Sequence, residues 1–91
     1  MKQLKDFNNN EIRGFYGKNG ILFIGCGEAN YDDYKDPTNF GTIKQYKFDE
    51  EKLELKELCV KEKCHSMPVV GFYVLSNGDF VSFSNEVIIW K

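Results

Sequence analysis

Three cysteines and one histidine are the residues best suited by type to do chemistry in this chain. Cys26 lies in the turn Gly25-Cys26-Gly27-Glu28, Cys59 in an apolar stripe, and Cys64 directly before His65 and three residues before Met67-Pro68. A thiolate nucleophile needs a lowered pKa, supplied by a helix N-terminus or a nearby cation, together with partial exposure. The glycine-flanked turn lets Cys26 meet a helix start, although no basic residue is close in sequence. The competing reading is a small buried thiol that finishes a strand. Lys61, Lys63 and His65 surround Cys64 and would lower its pKa, so Cys64 is a candidate reactive thiol. His65 has the one side chain whose unperturbed pKa lies near neutrality and is a candidate acid or base, against the plainer reading of a surface residue.

An odd number of cysteines cannot all pair within one chain, and Cys-x-x-Cys is absent. Reduced thiols in a cytoplasm fit better than a disulfide framework, and one histidine without a cysteine pair gives no zinc pattern. Asp32, Asp33 and Asp36 with Tyr31 and Tyr34 form an acidic, aromatic patch suited to a basic partner; as loop charge it also reads as ordinary solvated surface. Gly25-x-Gly27 completes neither a dinucleotide fingerprint nor a phosphate loop. Twelve basic and fourteen acidic residues are interspersed, so no basic stripe points to nucleic acid. No apolar run reaches the length of a membrane span.

The elements that would position these residues follow from periodicity. Ninety-one residues, 42% of them apolar, predict one domain over 1–91 with a small core. Leu4, Phe7, Ile12, Phe15 and Tyr16 fall near helical spacing and predict a short first helix over 4–16, ended by Lys18-Asn19-Gly20. Ile21-Leu22-Phe23-Ile24 predicts a strand buried on both faces. The alternation over 42–48 predicts a second strand, with Tyr46 and Phe48 inward. Asp49-Glu50-Glu51 has the chemistry of a helix N-terminus, and Leu55, Leu58 and Cys59 then make a helical stripe. Leu53 and Leu55 also fit a period of two, so a β-hairpin over 42–60 turning at Asp49-Glu50-Glu51 stands as the rival. Apolar runs flanking Ser76-Asn77-Gly78 predict an antiparallel hairpin, and Val87-Ile88-Ile89-Trp90 a further short apolar segment.

In this order the elements resemble a thioredoxin-like fold, with Asp49 to Val81 similar to that family's C-terminal half. Met67-Pro68 looks like its cis-proline loop, and Pro37 like the proline that kinks the helix after its active site. In that register Ala29-Asn30-Tyr31-Asp32 stands where the family carries its cysteine pair. The resemblance implies an α/β class: a compact mixed sheet flanked by short helices, lacking the usual C-terminal helix. The alternative is a small mostly-β or α+β domain. A second register makes Cys26-Gly27-Glu28-Ala29 similar to a monothiol glutaredoxin motif.

The resemblance implies a redox-inactive module that binds a protein or extended peptide without a cofactor. Ala29, Asn30, Tyr31 and Asp32 would form one part of its surface; His65, Ser66, Met67 and Pro68 would form the other, by pairing backbone to backbone. The alternative is a monothiol oxidoreductase through Cys26, with glutathione supplying the second thiol. A third reading is a small acidic inhibitor of another protein. Nucleic acid, membrane and metal are not expected.

Overall fold

The computed structural model describes residues 1–5 and 12–91. Seven strands follow in chain order: β1 (Ile12–Lys18), β2 (Ile21–Glu28), β3 (Phe40–Asp49), β4 (Glu54–His65), β5 (Gly71–Val74), β6 (Phe80–Phe83) and β7 (Val87–Trp90). The first four make one antiparallel sheet in chain order, and the last three make a second. Among the described residues there is no helix, and so none long and apolar enough to cross a membrane.

This overturns the α/β thioredoxin-like frame and agrees with the mostly-β alternative. The helix predicted over 4–16 falls partly outside the described residues, and from Ile12 onward it is strand. Lys18-Asn19-Gly20, read as a helix stop, holds a two-residue hairpin turn between Lys18 and Ile21, with φ of 54° at Asn19 and 79° at Gly20. That pair of left-handed residues matches the twist of the strands it joins. The helix predicted after Asp49 is β4. Asp49 does accept hydrogen bonds from the backbone N–H of Glu51 (3.0 Å) and Lys52 (3.1 Å), as an N-cap does, but uses them to close the β3–β4 turn. The rival hairpin is therefore the observed one. The hairpin around Asn77-Gly78 forms as predicted, with the left-handed φ at Gly78 alone.

Between the sheets, the chain from Met67 to Val70 runs across the face of the first one. It passes over Gly41 of β3, Gly25 of β2 and Gly14 of β1. At each of these a Cβ would overlap backbone atoms, of Met67, Val69 and Val70 respectively. Three glycines on three neighbouring strands thus cut a trough one backbone deep. Pro68 lies buried in that passage, and its lack of an N–H removes one donor that would need a partner there. All described peptide bonds, Met67-Pro68 included, are trans, so the expected cis-proline loop is also corrected.

The passage delivers β5–β7 onto the same face. Phe23 of β2 meets Phe72 and Phe80 with ring centroids 5.5 and 4.8 Å apart, and Ile43 and Val69 complete the buried cluster. Each fully buried Phe contributes about 1.5–3 kcal/mol, so a handful of such residues sustains a chain this small.

Candidate functional site

The strands place the three thiols apart from any nucleophile's requirements. Cys26 is 1% exposed within β2 and donates its S–H toward the Thr42 carbonyl at 3.7 Å. Burial pushes its pKa up, against a weaker pull from Lys44. Cys64 is half-buried against the aromatic cluster, donates toward the Gly41 carbonyl at 3.7 Å, and is likewise pushed up by burial, which outweighs Lys61. Cys59 is half-buried in β4, and all three are free thiols. Thiolate chemistry needs the opposite shift. Among the described residues no cluster of three metal-ligating side chains occurs.

Ala29, Asn30, Tyr31 and Asp32 open the loop between β2 and β3. This loop is braced by a three-residue rhythm. Backbone N–H groups of Asp33, Asp36 and Asn39 donate to the carbonyls of Asn30, Asp33 and Asp36, each at 3.1 Å. Side chains reinforce it: Asn30, Asp33 and Asp36 each accept from the N–H two residues on, at 3.1, 3.0 and 2.9 Å. Buried Asn39 ties the ends, accepting from the Asn30 N–H at 2.7 Å and donating to the Asp33 carbonyl at 3.1 Å. The Thr38 N–H and hydroxyl hold the Asp36 carboxyl below the usual carboxylate range. The result is an ordered platform presenting Tyr31 and Tyr34 edge to face, 53% and 65% exposed.

His65 is not a surface residue. A bulge in β4 around Lys63 (φ 49°) sets it opposite Gly41, where its side chain is fully enclosed. Its Nδ1 lies 2.9 Å from the Ser84 hydroxyl and 3.3 Å from the Glu86 carboxylate. A carboxylate can only accept, so Nδ1 carries the proton and Nε2 accepts from the Ser82 hydroxyl at 2.6 Å. Ser82 in turn accepts from the Trp90 indole N–H at 2.9 Å. Carboxylate, imidazole and hydroxyl follow one another as in a hydrolytic triad, yet Ser82 is 0% exposed and one of its lone pairs is occupied by the Trp90 indole N–H. The group is a closed network that ties the end of β4 to β6, the β6–β7 turn and β7.

Of the two predicted surface segments only His65 and Ser66 border a cleft, of about 680 Å³; Ala29 to Asp32 do not line it. Glu28 and Pro37 to Phe40 line one side of it, and Lys63 to Ser66 the other. Ser66 stays exposed, fixed by its N–H to Glu86 at 2.9 Å. Met67 and Pro68 do not join it, being buried in the passage over the glycines.

A different surface escaped the sequence reading. In the second sheet Phe72, Val74, Phe80 and Ser82 turn inward, so the alternate residues turn out. Register places Tyr73, Val81 and Ile89 in one cross-strand row and Gly71, Phe83 and Val87 in the next. All are apolar or glycine, and Tyr73, Val87 and Ile89 are 62%, 68% and 50% exposed. Polar turns, Ser76-Asn77 and Ser84-Asn85-Glu86, rim the two ends. The signal was present in Val69 to Leu75 and Val87 to Trp90, which are apolar at both parities and so mark strands apolar on both faces. Family models, curated proteins and solved structures give no match to the chain.

Proposed function

We propose that this chain is a protein-binding domain without catalysis, and that it binds through the outer face of its second sheet. The observation that carries the reading is the pair of cross-strand rows with no charged side chain among them. Contiguous exposed apolar surface rimmed by polar groups is costly to leave in water and marks interaction sites. Protein binding is kept from the sequence reading, while its place moves from the buried Met67-Pro68 segment to this sheet. Redox chemistry has no support in Cys26 and Cys64, whose pKa values burial raises. The test is capture by immobilised chain. Ile89→Asp and Tyr73→Asp are expected to abolish capture while Cys26→Ser leaves it intact; capture indifferent to both apolar-face variants would refute the reading.

A second reading, the acidic inhibitor, is favoured by the braced loop that holds Tyr31 and Tyr34 among carboxylates. It predicts binding to a basic protein surface that weakens with salt and is lost on Asp32→Lys with Tyr34→Ala.

A further inference from the structure

We infer that the occupant of the second sheet's outer face is a second copy of this chain, docked face to face about a two-fold axis. The inference rests on the binding reading above and names its partner. Three observations support it. The first is chemical: the chain carries twelve basic and fourteen acidic residues, yet none stands in the two exposed rows. Charge complementarity is what marks a surface for one foreign partner and repels others. An uncharged face carries no such mark, and a two-fold axis asks only that the patch suit itself.

The second is shape. Three short antiparallel strands present the flat layer that packs against a like layer at about 10 Å, with side chains from the two faces interdigitating. Tyr73 and Ile89 stand at the two flanks of this layer and Val81 between them, so about a two-fold axis along the middle strand Tyr73 of each copy faces Ile89 of the other and the two Val81 side chains meet. The third is area. With Tyr73, Val87 and Ile89 half or more exposed, the rows offer roughly 500 Å² of apolar surface per copy. Two copies with their polar rims then reach the roughly 1,000 Å² that a specific interface needs. An interface of that size is a reversible one.

The experiment is sedimentation velocity on the full chain from about 1 to about 500 μM, the range in which a small apolar interface associates. Wild type is expected to shift from monomer to dimer, and Ile89→Lys and Val87→Lys to weaken association by about tenfold or more, since each buries an unpaired ammonium. Leu58→Lys, an equal change at an exposed position on β4, is expected to leave the dimer unchanged. Tyr73→Lys serves if either face variant loses its β-sheet circular dichroism. A wild type that stays monomeric throughout, or a dimer unaffected by the face variants, overturns the inference. In the monomeric case, capture of another protein that is lost on Ile89→Asp leaves the binding reading standing with a foreign partner. Absence of both self-association and capture removes the two together.

Discussion

His65 engages both ring nitrogens inside the protein, and its protonation is thereby tied to stability. Burial opposes the imidazolium more strongly than Glu86 favours it, so the pKa is lowered from the ordinary 6.5. The folded chain then binds this proton less readily than the unfolded one. The stability His65 contributes is complete above about pH 6.5 and is lost as pH falls below that value through the folded pKa. Protonation would also turn Nε2 into a donor and leave the Ser82 hydroxyl hydrogen without its acceptor. Denaturant midpoints measured from about pH 7.5 down to about pH 5 should fall more steeply for wild type than for His65→Gln. Parallel profiles would remove His65 as the source. At pH 7 the variant itself should cost about 1–3 kcal/mol, the usual cost of unpairing a buried polar group. None of this network was legible beforehand. Ser82, Ser84, Glu86 and Trp90 are seventeen to twenty-five residues from His65 in the sequence, and only the topology brings them to it.

At the scale of single elements, the β3–β4 turn carries an avoidable strain. Leu53 has φ of 53° and is 50% exposed, so a left-handed backbone is imposed on a branched side chain that gains little from burial. That conformation costs roughly 1–2 kcal/mol for a residue with a Cβ. Leu53→Gly is expected to raise the denaturation free energy by about 0.5–1 kcal/mol, after the glycine's larger unfolded-state entropy is offset against the relief. An unfolding midpoint lower than wild type would refute this. The strands that could be read from the sequence were the apolar run at Ile21 to Ile24, the alternation over 42–48 and the hairpin about Asn77-Gly78. Over 42–48 the facing is nevertheless reversed, since Ile43 rather than Tyr46 and Phe48 enters the core between the sheets and Tyr46 is buried on the opposite face. β1 and β4 could not. Phe15 is 74% exposed and Leu58 45%, while Tyr16, Leu55 and Cys59 are partly buried, so the residues that built the helical stripes do not make one buried face. Edge strands owe their place to backbone pairing with a neighbour, and their side chains need not record it. Asn19-Gly20 was the overlooked sign, carrying the same turn chemistry that was recognised at Asn77-Gly78.

Across the whole molecule, the two sheets are held by the passage over Gly14, Gly25 and Gly41. A thioredoxin-like order of elements was read through Met67-Pro68, whereas the proline serves a trans, buried crossing between layers. Gly25→Ala is expected to cost about 1–3 kcal/mol or more, because its Cβ meets the Val69 backbone, which cannot step aside as a flexible side chain would. Gly17→Ala, whose Cβ would have ordinary contacts only, is expected to cost clearly less. Equal losses in urea melts would contradict the trough.

The same crossing orders events in time. Every strand is hydrogen-bonded only to its neighbours in the chain, so both meanders can assemble from nearby segments, as chains with short-range pairings do quickly. The trough exists only once β1, β2 and β3 lie side by side, and Met67 to Val70 has nowhere to settle before then. Closure of the layers therefore follows sheet formation along the folding route. In a chevron plot the destabilisation from Gly25→Ala should consequently fall on the unfolding arm, leaving the refolding rate near that of wild type.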